Sequence, residues 1–451
     1  MTARENDYFE TDEDAILFQP VARTRPRFYL FIGFLLAIIA LAAYAYYIQF
    51  KEGFIVTGMR DQVLWGLYIT NFVFFIGISH VGILISGILR LSGAEWRRPI
   101  TRMAEAITVC ALVVGVSMVL IDLGRPERMF SVLRYGRIQS PILWDFLSIT
   151  TYLLGSLIFL YTALVPDIAI CRDHLLKVSR WRRWLYRRLA LNWNNRKPQK
   201  ELIEKDIATM SVLIIPIAVS VHTVVSWIFG MLLRVGWHST IFGPYFVVGA
   251  IYSGVGAVIV AMAVFRRFYH LENYIKPFHF RYLGYLLFAL DLAYIYFTLS
   301  EYLTLAYGGK TEDLELLEAL FGKGSFAFLL YIVIIIGLIV PAFLLAIPRT
   351  RTIKGIVFAA VLVNICMWIK RFIIIIPTLA RPVIGTEWGT YSPTWIEWSI
   401  TAGGFAAFIL LYAIFSKLFP IVSAWEIKEG REKVTQTVAT TEEISTNSSL
   451  P

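Results

Sequence analysis

The densest chemistry in the 451-residue sequence lies in one stretch, IDLGRPERMFSVLRYGRIQSPILWDF, residues 121–146. Asp122 closes one apolar run and Asp145 opens the next. Between them Gly124 permits a sharp turn, Arg125 offers a five-donor fork and Pro126 stops the helix. Asp145 follows Ser140-Pro141 and is expected in the first turn of its helix, where the dipole favours a carboxylate. Two carboxylates flanking one basic loop can exchange protons with a substrate. They can equally be structural, with Asp122 paired to Arg125 and Asp145 capping a helix.

Other ionisable and strongly polar residues fall within apolar runs, where a charged Arg, Lys or Asp at mid-span costs about 2.5–3.5 kcal/mol unless it faces protein or water. Trp65, Asn71, Glu301, Lys370, Arg371 and Arg381 are expected near the same outer surface as Asp122 and Asp145, and His80, Glu105, His222 and Asp291 deeper or nearer the cytoplasm. Asn71 is an amide in hydrocarbon, suited to an interhelix hydrogen bond or to a ligand carbonyl. His80 and His222 read as packing histidines or as proton-relay stations. Counting rise from the ends of their runs puts His80 about 27 Å and His222 about 16 Å below the outer face, a mismatch that argues against one haem between them. His238 reads as an interfacial loop residue. Cys110, Cys171 and Cys366 are too scattered to hold an iron–sulfur cluster or a disulfide framework, and no metal site is expected.

These residues must be carried by helices that cross a membrane. The chain is 57% hydrophobic and only 16% charged, with a mean hydropathy of +0.65. About 20 apolar residues cross the hydrocarbon core, and ten such runs occur, near 28–48, 62–89, 103–121, 143–165, 207–233, 242–265, 282–306, 326–347, 355–376 and 395–419. The expected fold is an all-α integral membrane protein with two four-helix bundles and flanking helices. Its parts are a polar N-terminal tail (1–27), a first span and outer loop (28–61), a first bundle (62–233), a second bundle (242–378), a last span (395–420) and a C-terminal tail (421–451) that is disordered over its final 20 residues. Residues 172–195 mix Trp and Leu with Arg and suit an amphipathic helix lying on the membrane.

The net charge of +10 is first a topology signal. With a cytoplasmic N-terminus, 30 of the 42 Lys and Arg residues fall on inner segments and 12 on outer ones, so both termini are expected in the cytoplasm. The charge therefore implies lipid contact and no nucleic acid. A short internal repeat aligns LGRP at 123–126 with LARP at 379–382, and each is followed by Ser-Pro and then a carboxylate, Asp145 or Glu397.

The segments WGLYITNF, DLGRP, SPILWDFLSITTYL with LVPDIA, VSVHT and GWHSTIFGPYFVVGAIYSG together resemble the NrfD/PsrC family of integral membrane subunits of respiratory oxidoreductases. Within that family the sequence is most similar to the ten-span branch of ActC-type subunits of alternative complex III and DsrP-type subunits of sulfur-metabolism complexes. The resemblance implies a quinone or quinol, expected to be menaquinone, bound near the outer face of a prokaryotic cytoplasmic membrane. It also implies a peripheral iron–sulfur subunit on that face, further membrane subunits and cytochrome c subunits, with no haem or cluster in the chain itself. Asp122 and Asp145 would then accept the protons of a hydroquinone, coupling its oxidation to proton release or translocation. Trp65, Asn71, Arg125 and His222 would line the pocket, with His80, Glu105 and Asp291 as a proton path. The rival from another class is a proton- or ion-coupled secondary transporter, which would be active as an isolated chain.

Overall fold

The computed structural model describes residues 12–175, 178–232, 234–322, 324, 326–384 and 387–431. The first eleven residues and the expected disordered tail lie outside them. The elements in chain order are α1 (Asp12–Ala22), α2 (Pro26–Glu52), α3 (Leu67–Leu91), α4 (Glu95–Asp122), α5 (Pro141–His174), α6 (Arg180–Leu189), α7 (Lys197–Gly230), α8 (Phe242–Phe268), α9 (Pro277–Gly308), α10 (Thr311–Phe321), α11 (Ala327–Ala346), α12 (Ile353–Ala380) and α13 (Trp395–Leu418). Ten of these, all but α1, α6 and α10, are long and apolar enough to cross a membrane. No strand occurs among the described residues.

Burial sorts the helices. Every residue of α3 from Leu67 to Ser79 is buried, as expected of a helix that is apolar all round and sits at the centre. It packs on α4, α7, α8, α12 and α13. In α2, by contrast, only Leu35, Ala45 and Gln49 are buried, while Tyr29, Leu30, Phe34 and Leu41 face outward. α3, α4, α5 and α7 pack around one another, as do α8, α9, α11 and α12; α8 meets α3 and α7 at the seam, and α12 meets α3. The long spans α2 and α13 lie side by side against α4.

The α3–α4 contact depends on Gly82. Its N–H reaches Thr108 Oγ1 at 3.0 Å, and a Cβ there would stand 2.2 Å from the same oxygen. Thr108 donates onward to Ser79 O at 2.5 Å. Just beyond, α3 runs through a π-helical stretch at Ile83–Ile88, and α11 has another at Val333–Ile339.

The chain ends are more structured than their composition suggests. Within the expected polar tail, α1 buries Leu17, Phe18 and Val21, and Lys417 Nζ and Arg182 Nη2 donate to its Pro20 and Val21 carbonyls. After α13, Glu426 pairs with Arg90 at 2.7 Å and Arg97 at 3.0 Å, and Trp425 donates to Asp167 and Ala163 O. The segment to residue 431 is thereby strapped across the ends of α3, α4 and α5. Of the amphipathic stretch, Arg180–Leu189 forms a helix that buries Tyr186 and exposes Trp181 and Trp184.

Candidate functional site

The helices place Asp122 and Asp145 at one end of the molecule, on α4 and α5, which pack together. α4 ends at Asp122, and Gly124 takes a left-handed φ of +66°, so the turn read from the sequence is present. Arg125 is exposed, and no ion pair among the described residues joins it to Asp122. Asp122 is half-buried, its Oδ1 is buried without a hydrogen-bond partner, and Tyr68 and Glu397 are its neighbours.

Asp145 lies one turn deeper than expected. The helix begins at Pro141, so Asp145 is its fifth residue and no acid stands in the first turn. Its Oδ1 is also buried and unpartnered, so it caps nothing. The two structural roles open to these carboxylates are therefore unfilled. No described hydrogen bond joins Asp122 to Asp145.

Glu397, the repeat partner of Asp145, is chemically its opposite. It is fully buried and accepts from Gly58 N at 2.6 Å, Thr394 N at 3.0 Å and Tyr391 Oη at 2.5 Å. Tyr391 Oη in turn accepts from Leu67 N at 2.9 Å. One carboxylate thus ties the 53–58 loop to the starts of α3 and α13, as part of a capping box with Thr394. Beside it, Tyr68 donates to Gln49 at 2.5 Å, and Gln49 donates to Ile121 O at 3.3 Å, next to Asp122. The repeat singled out Glu397, but nothing in the sequence brings Tyr391, Tyr68 or Gln49 to it.

Asn71 already has its partners. It donates to Thr401 at 2.9 Å and accepts from Trp368 Nε1 at 2.8 Å, joining α3 to α13 and α12. Thr401 and Trp368 also border an apolar groove of about 400 Å³ lined by Phe74, Trp398 and Phe405. Trp65 stacks on Trp237 at 6.1 Å and meets Phe229 edge-on at 5.6 Å. From there rings continue through Phe246 to His222, His80 and Tyr152.

The depth mismatch expected between the two histidines is not present, since their ring centroids are 4.2 Å apart. The apolar run of α3 overstated its helix. Helical geometry begins at Leu67, so His80 is about 20 Å from that end, and His222 is about 12 Å from the end of α7 at Gly230. Helix tilt closes the remainder. His80 Nδ1 and Nε2 lie 2.8 and 2.9 Å from the carbonyls of Ile76 and Ala218, whereas neither nitrogen of His222 has a partner.

The other deep residues separate into two places. Glu105 sits 3.9 Å from Arg102 at the far end, in the group that also holds Asp167, while Asp291 is fully buried on α9. Lys370 and Arg371, expected near the surface, are buried because α12 continues to Ala380. Lys370 donates to Tyr302 Oη at 2.7 Å, and Arg371 lies over the Phe246 ring at 4.4 Å. Among the described residues no three His, Cys, Asp or Glu side chains are grouped as metal ligands would be.

The ten helices long and apolar enough to span, with ionisable side chains buried among them, define a multi-pass helical membrane protein. A family model described as "Polysulphide reductase, NrfD" matches residues 55–383, and the chain belongs to that family. It is 31% identical over 261 residues to a Halobacterium salinarum protein named as the membrane subunit of a dimethyl sulfoxide reductase, a match that covers 57% of this chain and 56% of the relative. An Hdr-like menaquinol oxidoreductase integral membrane subunit of Archaeoglobus fulgidus is 23% identical over 93% of this chain and 100% of its own length. A protein of Mesobacillus selenatarsenatis named as a subunit of selenate reductase is 25% identical over 83% of this chain and 90% of its own.

Proposed function

We propose that the chain is the quinone-reactive membrane subunit of a respiratory oxidoreductase complex, with Asp122 and Asp145 exchanging the protons. The observation that carries this reading is the pair of carboxyls at one end of the first bundle, each with a buried oxygen that no protein group satisfies. Such atoms fit a hydroxyl donor from a ligand, and removing that donor leaves a penalty of about 1–3 kcal/mol for each. When bound, a quinol supplies two electrons and two protons. Asp122 and Asp145 would accept those protons at their unpartnered oxygens. Glu397, held by three donors, would fix the wall behind Asp122, and Asn71 would brace α3 through Trp368 and Thr401.

The likeness, over 93% of this chain, to a protein named as a menaquinol oxidoreductase subunit favours menaquinol as substrate. By the distribution of Lys and Arg, the termini are cytoplasmic and the carboxyls face outward, where a peripheral iron–sulfur subunit would take the electrons. Further membrane subunits and cytochrome c subunits would complete a complex in the prokaryotic cytoplasmic membrane. The test is quinol-dependent reduction of the partner's clusters in the purified complex. Asp122→Asn and Asp145→Asn should each abolish it while assembly is retained; undiminished turnover in both variants rejects the assignment.

A further inference from the structure

The buried polar groups of the molecule are not equally satisfied. In and around the first bundle, Asn71, Ser79, His80, Thr108 and Tyr152 all bond to protein, while Ser86, Glu105 and Ser156, like Asp122 and Asp145, each leave one buried oxygen without a partner. Around α8, where it packs on α7, α9 and α12, such atoms are concentrated. Both ring nitrogens of His222, both terminal nitrogens of Arg371, the Tyr294 hydroxyl and both oxygens of Asp291 are buried with no partner. His222 and Asp291 are 0% exposed, and Arg371 and Tyr294 are 1% exposed.

His222, Arg371 and Tyr294 are neighbours, and Asp291 joins them through Tyr252, whose ring stacks on Tyr294 at 5.9 Å. Arg371 acts electrostatically on both His222 and Tyr294. Asp291 is three residues before Tyr294 on α9, about 4.5 Å of rise. Two hydroxyls approach them: Tyr245 bonds Thr298 at 2.8 Å and lies ring to ring with Tyr294 at 4.6 Å, and Tyr252 donates to Gly337 O at 3.3 Å while interacting with Asp291.

The four nitrogens of His222 and Arg371, with Tyr294 and Asp291 beside them, are not satisfied by protein and cannot stay dry. Lipid offers no donors or acceptors, and a deficit of this size in a low-dielectric interior is comparable with the whole stability of a domain. Any filler must be small, must accept from Arg371, must donate to Asp291, and must do either for His222 and Tyr294. An anion would serve Arg371 and repel Asp291, and a metal cation would do the reverse. Water meets all four demands.

We propose that a cluster of bound water occupies this region, bridging His222, Arg371, Tyr294 and Asp291. The site is distinct from the carboxyls at 122 and 145 and stands whether or not they meet a quinol. It would give the first bundle a continuous hydrogen-bonded connection to Asp291 in the second. His80, ring to ring with His222, would be its terminus.

Radiolytic footprinting of the assembled complex in nanodiscs tests the proposal, because hydroxyl radicals formed from bound water label the side chains that touch it. Tyr152 is the internal control, being fully buried with its hydroxyl bonded to Ser79 O. Tyr294 should be labelled roughly tenfold faster than Tyr152 if water is bound there. Equal labelling of the two overturns the proposal. In the double variant Arg371→Met, Asp291→Leu, Tyr294 labelling should fall toward that of Tyr152; a rate unchanged in an assembled variant also overturns it. Where that variant does not assemble, the wild-type comparison alone decides.

Discussion

Replacing Asn71 by Leu keeps the side chain's bulk and removes both halves of the amide. In the structure that amide accepts from Trp368 Nε1 at 2.8 Å and donates to Thr401 Oγ1 at 2.9 Å. Thr401 can turn its hydroxyl to a carbonyl one turn back on its own helix. The Trp368 indole N–H has no such recourse, and leaving it unpaired costs about 1–3 kcal/mol. Each of the two lost interhelical bonds adds about 0.6 kcal/mol, so the expected destabilisation is about 2–4 kcal/mol. Trp368→Phe deletes the stranded donor. The double variant should therefore be more stable than additivity allows, by about 1–2 kcal/mol. Unfolding in mixed micelles titrated with SDS, followed by circular dichroism, gives all four corners of the cycle. Additivity within about 0.5 kcal/mol refutes the strut. So does an Asn71→Leu protein of unchanged stability whose KM for quinol rises, since that result belongs to a ligand contact.

Three further outcomes follow from single contacts. Glu426→Ala leaves Arg90 and Arg97 without their carboxylate at a cost of about 3–5 kcal/mol, and trypsin should cut at Lys428 or Arg431 faster than in the parent; unchanged cleavage contradicts the strap. Gly124→Ala forces a side chain into φ +66° and sets its Cβ 2.7 Å from the Phe54 ring, so the melting temperature should fall by an amount matching about 1–2 kcal/mol or more. Tyr391→Phe removes the donor to Glu397 and the acceptor for Leu67 N, and should destabilise by about 1–2 kcal/mol in the same SDS titration.

Hydrophobic run length located all ten candidate spans among the described residues, because crossing a membrane leaves no choice but long apolar helices. What it could not resolve was where helical geometry starts and stops inside or beyond a run. That single ambiguity separated His80 from His222 on paper and left Lys370 and Arg371 near the surface. It also set Asp145 in the first turn. Charge patterning hid α1 and the strap after α13, because short segments that bury only two or three side chains look polar in composition. At the candidate site, the two carboxylates and the turn at Gly124 were legible from residue type and spacing. Their surroundings were not. Glu397, Tyr391 and Gln49 reach the site from distant parts of the chain, and the Asn71 bond to Trp368 spans 297 positions.

Whether quinol reacts at the end of the bundle marked by Asp122 and Asp145 can be read by photolabelling native membranes with an azido-menaquinone analogue and mapping the modified peptides. Adducts are expected on the ends of α4 and α5 and the loop between them, suppressed by excess quinol. Adducts confined to the apolar groove at Phe74, Trp368, Trp398 and Phe405, with residues 118–149 unlabelled, would place the reaction elsewhere and overturn the assignment.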